Sequence, residues 1–158
     1  MKSNRRRRAV AAGAAAVMAG SGAAAVAKHH SQRSAITCVA RSSGELPDPA
    51  CTPGVVDPAL TRADLCPHLG AAVVRNVPQS EKDKVRAEYN DHRAGEIDHL
   101  ISLELGGSND IHNLWPEDGK IPNPKDAVEN RLHAQVCAGS ITLHQAQQEI
   151  RVDWRSAR

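Results

Sequence analysis

This 158-residue chain has no phenylalanine, two tryptophans and one tyrosine. Its core must therefore be aliphatic. Few rings are left to stack on bases, which weakens any stacking platform for single-stranded nucleic acid. No C-x-x-C pair occurs, so a zinc site built from four cysteines is not expected. The long apolar run Ala9 to Ala24 contains no Leu, Ile or Phe. It is too weakly hydrophobic for a bilayer span, and no stable membrane anchor is expected. The net charge is +2, with no excess of one sign that would draw the chain onto a polyanion.

What is present begins with a leader. Arg5 to Arg8 form a basic segment, the apolar run follows, and Ala25-Val26-Ala27 has the A-x-A form of a cleavage site. Residues 1–27 read as a secretory signal peptide, which implies a secreted or cell-envelope protein. They hold five of the 20 cations and none of the 18 acids, so the remainder carries 15 Lys+Arg against 18 Asp+Glu, a net charge of −3. Any grip on nucleic acid must come from a local patch or a bound metal. Arg75, Arg86, Arg93, Lys125 and Arg131 are candidate phosphate contacts, but they do not cluster in sequence.

Four cysteines follow the leader: Cys38, Cys51, Cys66 and Cys137. An even count in a small exported domain favours two disulfides, each stabilising by roughly 2–4 kcal/mol. The expected pairing is Cys51–Cys66 with Cys38–Cys137, because the first pair brackets a Pro- and Gly-bearing loop. Residues 28–45 read as a flexible leader and 46–158 as the folded domain.

Within that domain, Thr61-x-x-Asp64 has the form of a helix start, and Ala71 to Val77 is β-like. Ser80 is expected to cap a charged helix over 81–89, with Val85 and Tyr89 inward. Residues 95–103 read as a strand bending after His99. Gly106-Gly107 makes a turn, 111–114 returns as a strand, and 116–122 is a loop. Asn123 is a good N-cap with Pro124 at the first helical position. That helix should run to about Cys137 and end at Gly139, burying Val128, Leu132 and Val136. Thr142 opens a last helix, with Gln145 in capping-box position and Leu143, Ala146, Ile150 and Trp154 inward. The fold class is α+β: a small disulfide-bonded domain with a hairpin-helix unit in ββα-metal order and a C-terminal helix.

The chemistry concentrates between Gly95 and Trp115. His99 is the candidate general base, since imidazole accepts a proton at neutral pH. Asp98 precedes it and points to the opposite face of the strand, a hard oxygen ligand suited to Mg²⁺ or Mn²⁺, with Zn²⁺ as the alternative. The helix should complete the site. Glu129 and His133, four apart, flank the apolar stripe and are the leading metal-ligand pair; Asp126 and Asn130 compete with them. Asn113 is expected to serve the catalytic hairpin by bonding backbone across the turn. Trp115 reads as a core plug before a proline.

These residues resemble the HNH endonuclease family. The resemblance rests on Asp98-His99, Gly106-Gly107, Asn113-Leu114 and the helix after them. The segments LPDPACTPG, EIDHLISLELGGSND, NLWPE and KDAVENRLHAQVCAG, and LHQAQQEIRVDW after them, are similar to a group of exported bacterial HNH-like proteins, over about Leu46 to Trp154. The resemblance implies a metal-dependent nuclease acting on DNA or RNA, with His99 as base and Asp98 as metal ligand, and a monomer is expected. The chain departs from the family where its last helical ligand usually falls, at Pro122, so spacing does not assign the remaining ligands. The alternative is a non-catalytic exported binding or cell-envelope module on the same scaffold, which the acidic balance and scarce aromatics favour.

Overall fold

In the computed structural model, which describes residues 37–66, 75–93, 95–117 and 123–158, three of the described α-helices start where side-chain oxygens can cap them. Helix α1 (Arg62–Leu65) begins with Asp64 accepting from the Thr61 N–H at 2.8 Å. Helix α3 (Pro124–Ala138) begins at Asn123, whose Oδ1 accepts from Lys125 N at 2.7 Å while Asp126 accepts from Asn123 N at 3.0 Å. Helix α4 (Leu143–Asp153) has the reciprocal Thr142–Gln145 box. Each box satisfies backbone donors that a helix start leaves unpaired. Gly139 ends α3 in the left-handed conformation, φ 76°. Helix α2 (Gln79–Glu88) starts directly after Pro78 rather than at Ser80.

Strands β1 (Glu96–His99) and β2 (Leu114–Glu117) pair antiparallel, with His99 opposite Leu114 and Asp98 opposite Trp115. The return strand therefore lies three residues later than expected. Ile111–Asn113 is a 3-10 turn, and Pro116-Glu117, expected to open a loop, is strand. A proline is tolerated here because the sheet has two strands and both are edges. β1 also stops at His99, and Leu103–Leu105 is a 3-10 turn.

Alternation along the strands gives the sheet two different faces. Ile97 and Leu114 pack with Val85 of α2, flanked by Val77, Tyr89 and Ile111. Asp98, Trp115 and Glu117 point the other way, and α3 reaches them there. The larger core joins α3 and α4 through Leu132, Val136, Ala146, Ile150 and Trp154, with Leu46, Ile101, Leu105 and Ala157. Trp115 is fully buried.

The disulfides are Cys38–Cys51 and Cys66–Cys137, not the expected pairing. Arg62 explains the second: its Nε donates to Val136 O at 2.8 Å, docking α1 on the end of α3 and setting the Cys66 and Cys137 Cα atoms 5.3 Å apart. Cys38 N–H donates to Glu88 O at 2.8 Å, and the next N–H, of Val39, donates to Asp48 Oδ2 at 3.0 Å in the turn that carries Cys51, whose N–H bonds Asp48 O at 3.1 Å. Residues 37–45, expected within a flexible leader, are thus tied to the domain; Cys38 is buried, and Trp154 Nε1 donates to Glu45 O at 2.7 Å. Most of the β-like run at 71–77 lies outside the described residues, as does the leader before residue 37. Arg75–Val77 form no strand. Among the described residues no helix is long and apolar enough to cross a membrane.

Candidate functional site

The loop between the strands is held by one amide. Asn113 Oδ1 accepts from Ile101 N at 3.0 Å, and its Nδ2 donates to Ile101 O at 3.0 Å and Ser108 O at 2.8 Å. Fully buried and committed to loop backbone, Asn113 positions the loop and does not face a substrate. Gly107 is required for this packing, because a Cβ there would lie 1.8 Å from Ile101 O.

That loop also sets the tautomer of His99. Asn109 Oδ1 accepts from the Asn76 N–H at 3.1 Å, which identifies it as the carbonyl oxygen. It lies 3.0 Å from His99 Nε2, so Nε2 must carry the proton and Nδ1 the lone pair. Burial pushes the His99 pKa down to about 4. The bond to Asn109 and the charge of Asp98 oppose that shift, while Arg75 and Lys125 reinforce it. At neutral pH His99 is an uncharged imidazole with one defined proton acceptor.

Asp98, on the other face, meets Lys125, which the sequence offered as a phosphate contact. Lys125 is fully buried. Its ammonium donates to Asp98 Oδ2 at 2.7 Å, to the His99 backbone oxygen at 2.7 Å, and to Glu129 Oε1. Burial opposes the lysine charge, but the carboxylates of Asp98, Glu129 and Glu117 hold its pKa above the ordinary lysine range. Burial likewise opposes the charge of Asp98, yet Lys125, Glu117 and the His99 backbone together hold its pKa low. Glu117 is the compensating member. Burial raises its pKa to about 8 against the pull of Lys125, and Asp98 adds to the rise. Glu117 is therefore the protonated partner in its hydrogen bond with Asp98, and its Oε2 accepts from Asn123 Nδ2 at 2.6 Å. Glu129 is raised to about 7, chiefly by burial.

Asp98, His99 and Glu129 line one cleft of about 260 Å³ together with Arg75, Ser102, Leu103 and Glu104. Ser102 Oγ and Glu104 Oε1 are buried there without a hydrogen-bond partner in the protein. Such groups are costly unless something pairs them, and Trp115 Nε1 and Gln135 Oε1 are in the same state away from the cleft. Arg75 stands at its edge, half-exposed, donating to Glu96 at 2.9 Å and to Ile97 O, with Asp98 3.9 Å away. No family model, curated protein or solved structure matches this chain.

Two of the three expected metal ligands come together, but not around a common open point. Lys125 stands between Asp98 and Glu129. His133 is turned elsewhere, 3.3 Å from Leu65 O and 3.4 Å from Cys137 Sγ. A divalent ion shared by Asp98, Glu129 and His133 does not fit this arrangement. The competing pair is used locally: Asp126 caps α3, and Asn130 donates to the Asp126 backbone oxygen at 2.8 Å. Among the described residues, the donors of Cys66, His133 and Cys137 lie within 4.8 Å of one another and could hold a metal ion. The two sulfurs are bonded to each other, however, so their thiolates become ligands only after reduction.

Lys125, Glu117, Asn109, Ser102 and Glu104 were not foreseen in these roles. For Lys125 a signal existed. It sits in the first turn of α3, where the helix dipole disfavours a cation. A lysine there needs carboxylate partners, and Glu129 lies four residues on. Glu117 and Ser102 carry no comparable local mark.

Proposed function

We propose that this chain is an exported phosphodiesterase that cuts nucleic acid, DNA or RNA, with little sequence specificity. One observation carries the reading. His99 is held neutral, with its Nε2 proton committed to Asn109, on a cleft that also presents Arg75 and two unpaired buried oxygens. Phosphodiester hydrolysis needs a base to take a proton from water and a positive group to stabilise charge on the phosphate. His99 Nδ1 supplies the first, and the Arg75 guanidinium supplies a contact for phosphate oxygens. The two disulfides support an oxidising, extracytoplasmic location.

The experiment is nicking of supercoiled plasmid and cleavage of single-stranded RNA by the purified protein, with EDTA and with a panel of divalent ions. Cleavage by the parent should fall roughly 10²–10⁴-fold in His99→Ala. Equal cleavage by parent and variant sinks the assignment of His99.

A second reading is a binding module without catalysis. It is favoured by one feature: the carboxylates of Asp98 and Glu129 are engaged by Lys125. Under this reading neither substrate is cut under any ion condition, and the cleft still binds a polar ligand.

A further inference from the structure

Lys125 Nζ is the convergence point of the cluster. An ammonium has three N–H donors, and all three are matched: Asp98 from β1, the His99 carbonyl at the strand end, and Glu129 one turn along α3. Asn123 fixes this geometry twice, capping the Lys125 N–H with its oxygen and holding Glu117 with its nitrogen. Burying an ion pair is a poor route to stability, since an apolar packing of the same volume does as well or better. The arrangement therefore calls for another explanation, and its position beside the base gives one.

We infer that the Lys125 ammonium is the resident cation of this cleft, occupying the point where Asp98 and Glu129 would otherwise share a divalent ion, so that this pair takes up no metal while Lys125 is present. Two carboxylates, one on a strand and one on a helix, converge on a single positive centre, as they would on a hard cation. With every N–H engaged, Lys125 does not reach a substrate. It is a positioning residue. It holds the backbone carbonyl of His99, and so the bearing of the imidazole, and it keeps Asp98 charged beneath the cleft. The inference deepens the reading of the same site, but its test does not depend on turnover.

Mn²⁺ titration of the purified full chain, followed by the EPR signal of free Mn²⁺ and by thermal unfolding, provides that test. The proteins are the parent, Asp98→Asn, Lys125→Met, and Lys125→Met combined with Asp98→Asn. Parent and Asp98→Asn should respond to Mn²⁺ alike. Lys125→Met should bind Mn²⁺ at least ~100-fold more tightly than the parent, because a like charge has been removed from the site. Its thermal midpoint should rise with Mn²⁺, and the double variant should lose both effects. A parent midpoint that rises with Mn²⁺ and no longer does so in Asp98→Asn overturns the inference. So does a folded Lys125→Met that binds Mn²⁺ no more tightly than the parent. If Lys125→Met folds only with Mn²⁺ present, that rescue is the predicted gain. If it folds under no condition, the comparison of parent with Asp98→Asn decides. Failure of the nuclease reading changes none of these outcomes.

Discussion

Lys125 and Glu129 near the start of α3 and His133 and Cys137 near its end stand in one row, four residues apart, yet the two halves of the row meet different parts of the molecule. The first half closes on β1 through Asp98 and the His99 carbonyl. The second closes on α1 through the Cys66–Cys137 bond and the contact of His133 with Leu65 O. A helix advances about 1.5 Å per residue, so such a row is ~18 Å long and cannot converge on one ion. Four-residue spacing says which side chains are neighbours, but in a row of four it does not say where the pairs divide. Here the division falls between Glu129 and His133, the two residues that the sequence suggested as partners.

That comparison can be broken from either end. The largest effect is expected at the buried cation. Lys125→Ala leaves Asp98 and Glu129 buried without their partner and should cost roughly 3–5 kcal/mol in urea unfolding. A loss below about 1 kcal/mol would mean that the cluster relaxes to solvent and that the two halves of α3 are less different than they look.

Opening the other half should cost somewhat less. Replacing Cys66 and Cys137 together by serine removes a link across 71 residues and should destabilise by about 2–4 kcal/mol. His133→Ala alone should leave stability within about 1 kcal/mol, since its contacts with Leu65 O and Cys137 Sγ are long ones. A larger loss in His133→Ala than in the double serine variant would reverse the assignment of what holds this end.

The pH response is the most selective probe, and per pH unit it is the smallest of these effects. The Glu117 pKa is raised from 4.5 to about 8, so the folded state binds the extra proton between those values. Its contribution is fully present below pH 4.5 and is lost as pH rises through about 8, with a slope of up to ~1.4 kcal/mol per pH unit. Glu117→Gln should remove that decline and be relatively more stable than the parent at pH 8 than at pH 5. The double serine variant should keep the parent's slope. Denaturant midpoints measured across pH 4.5–8.5 distinguish them, and a parent-like slope in Glu117→Gln would place the proton elsewhere in the cluster.

Much of this arrangement is legible in the sequence. The caps at Thr61, Asn123 and Thr142, the stop at Gly139, the buried stripes of α3 and α4, and the roles of Trp115 and Trp154 all follow from local chemistry acting over a few residues. So does the approach of Asp98, His99 and Asn113, because one short hairpin carries them. The later start of β2 was less legible, since Ile111–Asn113 bonds within its own turn and Pro116 looks like a strand breaker in isolation.

What composition and local pattern determine here is the set of elements, their capped ends and the strand faces that Asp98 and His99 occupy. These are decided by interactions within a turn or two of chain. How the elements dock settled the rest: which cysteines pair, which end of the α3 row meets β1, and what cation lies between Asp98 and Glu129. Lys125 became a site residue when α3 laid its first turn on the Asp98 face of the sheet, because an ammonium taken out of water is held only where carboxylates from separate elements surround it.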